Sequence, residues 1–212
     1  MKALTHSRSL SRQLASAAYC VLVFLLIFLP VTILGIAIRS ESMKFGLLLL
    51  AGWLCWTFAE YFIHRFWMHN RFRNLNHKVY EYHMYHHRHP DEIKIKGWHR
   101  VVLISAGIVL TVFSVIWNNS FTIFLGFYWG FTLYSLLHLI LHKKWGRYLF
   151  PRVQRAHIHH HGKYPDKGFS FSNVFWDWLF GTLPPKDAQI SDKMVEFYFK
   201  ADRHQAAKKF MM

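Results

Sequence analysis

The chain has 212 residues and a formal net charge of +15, and it is 53% hydrophobic and 18% aromatic. A soluble domain rarely combines such charge with such apolarity, so the two must be segregated along the chain. The basic residues form no compact domain and lie beside apolar runs, which argues against nucleic-acid binding and favours contact with anionic lipid headgroups.

Residues 1–16 are polar and basic, with Lys2, Arg8 and Arg12. Residues 17–38 carry no charge. At about 1.5 Å per residue a helix of that length crosses roughly 30 Å of hydrocarbon. The run is too long for the core of a signal peptide, and no small-x-small cleavage site follows it. Pro30 kinks it, which membrane helices tolerate. After the polar turn Arg39-Ser40-Glu41-Ser42 comes a second apolar run, residues 43–63, in which only Lys44 and Glu60 are charged. Residues 64–100 are rich in His, Arg, Tyr and Lys. Residues 101–117 form a third, shorter apolar run. Asn118 and Asn119 mark a turn, and residues 120–141 form the fourth run, interrupted by Gly126, Gly130 and His138. Cys20 and Cys55 both lie in apolar runs, so neither a disulfide framework nor a cysteine metal site is indicated.

This pattern predicts an all-α fold: a four-helix transmembrane bundle of two hairpins, with spans near 17–38, 43–63, 101–117 and 120–141. A cytoplasmic helical cap would hold a dinuclear metal site. The expected organisation is a basic N-terminal segment (1–16), one membrane-embedded domain (17–185) and a basic C-terminal tail (186–212). Of the 26 Lys and Arg, only Arg39 and Lys44 fall at the opposite turns. The positive-inside rule therefore places both termini and every histidine-rich segment of this multi-pass protein on the cytoplasmic face.

Sixteen histidines are a large excess for this length. Ten of them fall into four short groups. His64 and His69 end the second run. Five residues apart they do not share an α-helical face, so they converge only if the helix ends between them, or else they bind different metals. His83, His86 and His87 are spaced by three and four, which puts them on one helix face. His138 and His142 are an i, i+4 pair where the fourth run leaves the membrane. His157, His160 and His161 repeat the H-x-x-H-H spacing. A lone helical histidine is ordinarily a core or surface residue. Four groups on one side of a membrane, one reaching into a span, point to metal. Ten imidazoles exceed what one ion can use, so two ions are expected. Imidazole suits Zn, Cu, Fe and Ni; a lipid-like substrate and unactivated C–H chemistry favour iron with O2. His159 sits among these residues on another helix face, either orienting a ligand or facing solvent. His77, His89 and His99 match no cluster, and His6 and His204 lie in the terminal segments.

The segments EYFIHRFWMH, YSLLHLILH and HHGKYPDKGFSFSNVFWDWLFGTLPP, with HMYHH between them, resemble the fatty acid hydroxylase/sterol desaturase superfamily of membrane di-iron oxygenases. They look most like its fatty acid 2-hydroxylase branch, and the likeness covers roughly residues 55–185. The resemblance implies O2-dependent hydroxylation of a lipid acyl chain at C2, with O2 as co-substrate and two iron ions; zinc fits the same ligands in an isolated protein. It assigns the metal to His64, His69, His83, His86, His87, His138, His142, His157, His160 and His161, with no further catalytic residue. It also implies an electron donor. The 16 residues before the first run leave no room for a cytochrome b5-like domain, so an external donor of cytochrome b5 or ferredoxin type, with its reductase, is expected. The gap from His69 to His83 is shorter than in the eukaryotic enzymes.

The aromatic run after the last histidines, with Trp176, Trp178 and Phe180, fits a helix at the membrane interface, serving as an anchor or as the lining of the acyl entrance. Asp177 would accept an N–H from a ligand histidine or cap a neighbouring helix. Alternatives are a hydroxylase or desaturase of a sterol or carotenoid, and, more remotely, a His-rich metal transport or storage protein. The first and third runs have no ionisable residue in their interiors apart from Cys20, which argues against ion passage. A zinc hydrolase would need a general base, for which Glu60 and Glu81 are candidates, but ten imidazoles are too many for that chemistry.

Overall fold

The computed structural model describes residues 30, 33, 37, 42–69, 77–90, 97–117 and 119–199. Among the described residues there are helices and no strands. Helix α1 is Ser42–Phe62 and continues without a break into a π-helical turn, Ile63–Met68. Then follow α2 (His77–Arg88), α3 (Gly97–Ile116), α4 (Asn119–Leu141), α5 (Gly146–Leu149), α6 (Pro151–His161), α7 (Phe175–Leu179) and α8 (Asp192–Tyr198).

Two stretches are long and apolar enough to cross a membrane, Met43–Met68 and Phe121–Leu141, each with a mean hydropathy of 1.5; Val101–Ile116 is a shorter apolar helix. Along α1 the side chains of Met43, Leu47, Leu50, Leu54, Phe58 and Phe62 are all exposed. Their spacing of three and four residues makes a single apolar stripe on the outside of the helix, a surface that suits lipid rather than water. The first expected span lies outside the described residues except at 30, 33 and 37, which are helical. The expectations for His6 and His204 also lie outside them.

The chain divides into two compact units. In the first, residues 1–53 with 98–129, α1 and α4 touch backbone to backbone. A Cβ on Gly52 would stand 2.0 Å from the Ile123 carbonyl oxygen, and one on Gly126 would stand 2.1 Å from that of Leu49. Only glycine allows so close an approach, as in membrane helix pairs. In the same unit the Tyr128 hydroxyl donates to the Leu103 carbonyl at 2.9 Å, and Trp129 Nε1 donates to Thr111 Oγ1 at 3.4 Å.

The second unit, residues 54–97 with 130–212, carries every one of the ten grouped histidines. Trp56 packs edge-on to Phe131 at 5.1 Å. Helix α6 begins on Pro151, whose fixed φ and missing N–H suit the first helical position. Gln154 Nε2 donates to the carbonyls of Leu141 and Lys143, both at 2.7 Å, which fixes α6 against the end of α4. The segment expected to be only a basic tail carries α8. Ser191 caps it by accepting from the Met194 N–H at 3.3 Å, and the Tyr198 ring it presents is 1% exposed.

Candidate metal centre

The five-residue spacing of His64 and His69 is resolved by the backbone between them. The His69 N–H donates to the His64 carbonyl at 3.3 Å, an i→i+5 bond. The π-helical turn carries one more residue than an α-turn, so residues five apart come to the same side. His64 and His69 therefore converge on one site.

The ten histidines form two groups of five. One is His64, His69, His83, His87 and His160; the other is His86, His138, His142, His157 and His161. Within each group one nitrogen per ring lies within 4.8 Å of all the others. Each H-x-x-H-H cluster is split between them. On α2 the i, i+4 pair His83 and His87 serves the first group and His86 the second. On α6 the pair His157 and His161 serves the second and His160 the first. Two helices thus each feed both groups, and the rings of His87 and His161 stack across the divide at 4.4 Å.

In the first group the Nε2 atoms of His64 and His83 are 3.0 Å apart, those of His83 and His87 3.0 Å, and those of His69 and His160 3.1 Å. In the second, Nε2 separations are 3.2 Å for His86–His138, 3.3 Å for His138–His142 and 3.0 Å for His142–His157. Nitrogens held about 2.1 Å from one ion at nearly right angles stand about 3 Å apart. His64 Nδ1 donates to the Phe169 carbonyl at 2.6 Å and His160 Nδ1 to the Lys167 carbonyl at 2.8 Å. A carbonyl only accepts, so both Nδ1 atoms carry the proton and both Nε2 atoms present lone pairs. Those lone pairs face each other at 3.1 Å, an arrangement that suits a cation between them.

Burial favours the neutral form of seven of these rings. Burial, aided by the neighbouring imidazoles His69 and His86, pushes His87 down to about 3, and burial pushes His86 down to about 4. Burial likewise holds His83, His142, His157, His160 and His161 well below the ordinary imidazole value. Neutral imidazole is the form that binds metal.

The loop 167–172 supports the first group, and two buried carboxylates hold it. Asp177 Oδ1 accepts from the Phe169 N–H at 2.9 Å and Oδ2 from the Ser170 N–H at 2.9 Å, while the Thr182 hydroxyl donates to Oδ1 at 2.7 Å. Burial raises the Asp177 carboxyl against the lowering effect of these donors. Glu60 Oε1 accepts from the N–H groups of Phe171 at 2.5 Å and Ser172 at 2.9 Å, and the Ser172 hydroxyl donates to Oε2. Gly168 adopts φ 70°, and a Cβ there would meet the Ala156 carbonyl at 2.7 Å. The loop delivers the Phe169 carbonyl to His64 and places the Phe171 ring between the groups. That ring is stacked 4.6 Å from His64 and lies 4.7 Å from His138 and 4.8 Å from His157.

The second group is covered differently. Tyr198 stacks on His142 at 4.6 Å, lies 5.4 Å from His161, and donates its hydroxyl to the Leu141 carbonyl at 3.1 Å. Among the described residues, the buried Nδ1 atoms of His142, His157 and His161 have no hydrogen-bond partner.

Sequence reasoning placed the ten histidines but not their supports. Asp177, expected to accept from a ligand histidine or to cap a helix, instead holds the loop whose carbonyl meets His64. Glu60 could have been found from its position one helical turn before His64, and it is a loop clamp rather than a free base. Tyr198 lay in the presumed tail, where only Ser191 signalled a helix. His159 joins neither group; it is buried rather than solvent-facing, 5.6 Å from Tyr164. His89 is outside both groups, exposed and stacked on Tyr85 at 4.3 Å. Trp176 is anchored, donating to Thr57 Oγ1 at 3.0 Å, whereas Trp178 is 65% exposed.

Residues 49–182 match the family model described as fatty acid hydroxylase. The chain is 33% identical to the fatty acid 2-hydroxylase of Mus musculus over 159 residues, 70% of this chain and 42% of that protein. It is 32% identical to a dihydroceramide fatty acyl 2-hydroxylase of Arabidopsis thaliana over 180 residues, covering 76% of this chain and 73% of that one. It thus spans less than half of the mouse relative and nearly three quarters of the plant one. A solved structure of full-length scs7p, in which only the hydroxylase domain is visible, matches in fold with a TM-score of 0.52 at 22% identity, over 80% of this chain and 69% of that one.

Proposed function

The chain belongs to the fatty acid hydroxylase family, and from that premise we propose that it is a membrane-bound di-iron monooxygenase that inserts one oxygen atom from O2 at C2 of a lipid acyl chain. One iron is held by His64, His69, His83, His87 and His160 and the other by His86, His138, His142, His157 and His161. The observation that carries this reading is the pair of five-imidazole groups whose ring nitrogens converge within 4.8 Å. The iron pair, when bound, supplies activation of O2 toward an unactivated C–H bond. The mouse relative is named for fatty acids and the plant relative for dihydroceramide acyl groups, so a fatty acyl chain, free or in a ceramide, is the proposed substrate class.

The chain's own residues prepare the site for that chemistry. His64 and His160 donate their Nδ1 protons to carbonyls, which fixes the tautomer and aims each Nε2 inward. Phe171, 2% exposed, fills the space between the groups with an apolar ring and keeps bulk water out. Glu60 and Asp177 hold the backbone that carries both effects. The apolar helices anchor the protein as four spans in two hairpins, with the histidine groups and both termini on the cytoplasmic side. Trp176 and Trp178 stand at the acyl entrance, and an external redox protein delivers the electrons. Expression with an electron-transfer partner, followed by mass spectrometry of host lipids, tests the reading. Acyl chains heavier by one oxygen, with fragmentation placing the hydroxyl at C2, are expected; an unchanged lipid profile in the presence of loaded protein would contradict it.

A further inference from the structure

The two histidine groups are built from the same number of imidazoles but supported unequally. In the first, His64 and His160 each have a backbone carbonyl on Nδ1, and among the described residues none of its five rings has a buried nitrogen without a partner. In the second, His142 and His157 turn Nε2 toward their neighbours, so Nδ1 points away. When Nε2 binds a cation, Nδ1 must carry the proton. That proton is buried in His142 and in His157 with no acceptor among the described residues, and both ring nitrogens of His161 are likewise buried without a partner there. A hydrogen bond to the far nitrogen makes imidazole a better ligand and preorganises its ring, and losing one such partner weakens metal binding by roughly 10- to 100-fold. A buried N–H without an acceptor adds a desolvation penalty.

We propose that the two sites fill in order: the His64/His69/His83/His87/His160 site binds first and tightly, and the His86/His138/His142/His157/His161 site takes the second, more labile ion. The inference rests on the dinuclear reading above and adds the inequality of the two sites. The same inequality extends to the cover of the second site. Its rings lie under Tyr198, which holds His142 by ring stacking and spends its hydroxyl on the Leu141 carbonyl rather than on an imidazole. Helix α8, which supplies that tyrosine, lies beyond the residues that match the family model.

The experiment is a titration of metal-stripped, detergent-solubilised full chain with Co2+ against a chromophoric chelator, followed by the d–d absorption of the bound ion. Two steps are expected, separated by about 10-fold or more in affinity. His161→Gln removes the weaker step and keeps the tighter one, and His160→Gln removes the tighter. Asp177→Asn touches no ligand; it loosens the loop that carries the Phe169 carbonyl, so it weakens the tighter step alone. Circular dichroism confirms that each variant remains helical. Two ions bound with equal affinity, or loss of the tighter step in His161→Gln, overturns the order of filling and leaves the dinuclear reading standing. Fewer than two ions on the unaltered chain overturns both.

Discussion

The two histidine groups invite comparison because they share their helices and differ in what lies behind the rings. Helices α2 and α6 feed both. Behind the first group runs a loop whose carbonyls accept from His64 and His160, and whose own N–H groups end on Asp177 and Glu60. Behind the second lies a tyrosine ring. Two buried carboxylates therefore act on the first group through backbone, at one remove, while the second group rests on apolar packing. Ligand number alone does not define a metal site; the outer layer decides how firmly each ring is aimed.

The comparison can be broken most sharply by removing a ligand from one side. His138→Ala is expected to abolish hydroxylation while membrane insertion persists, because alanine is easier to accommodate in an apolar span than histidine; retained activity would remove His138 from the ligand set. Phe171 touches both groups, so Phe171→Ala should disturb them together, with a stability loss of about 3–5 kcal/mol measurable by thermal unfolding in detergent. A loss confined to one group in the Co2+ spectrum would show that the ring belongs to that group only. Asp177→Asn should lower stability by about 1–3 kcal/mol, since one carboxylate oxygen that accepts a buried N–H becomes a donor. Trp178→Ala should change stability by less than about 0.5 kcal/mol, since the side chain is exposed. It should lower hydroxylation of membrane-embedded lipid a few-fold without changing metal content, and an unchanged rate would take Trp178 out of the entrance.

Much of the histidine clustering was legible in the chain because side chains that meet on one helix face leave local spacing behind. The i, i+3, i+4 pattern of His83, His86 and His87 and of His157, His160 and His161 marks directly the helices that carry the clusters. The same pattern does not show that each cluster is shared between two sites, since that depends on where the helices lie. The spacing of His64 and His69 looked like a helix end; an i→i+5 turn resolved it, and no residue in IHRFWM announces such a turn. Glu60 and Asp177 were visible as isolated acids in apolar surroundings, but their partners are N–H groups 111 and 8 residues away. Backbone partners at such separations carry no sequence signature. Tyr198 was hidden by the basic residues around it. Of the expected spans, those at 43–63 and 120–141 were plain from hydropathy and correspond to the apolar stretches Met43–Met68 and Phe121–Leu141, whereas that at 101–117 sat at the short end and corresponds to the shorter apolar helix Val101–Ile116.

Two five-histidine sites in one chain call for two metal ions. The most direct test is the iron content of protein purified anaerobically from an iron-replete host, measured by mass spectrometry against protein concentration. Two irons per chain are expected, falling to one in His161→Gln; one iron or fewer in the unaltered, folded chain would rule out a dinuclear centre.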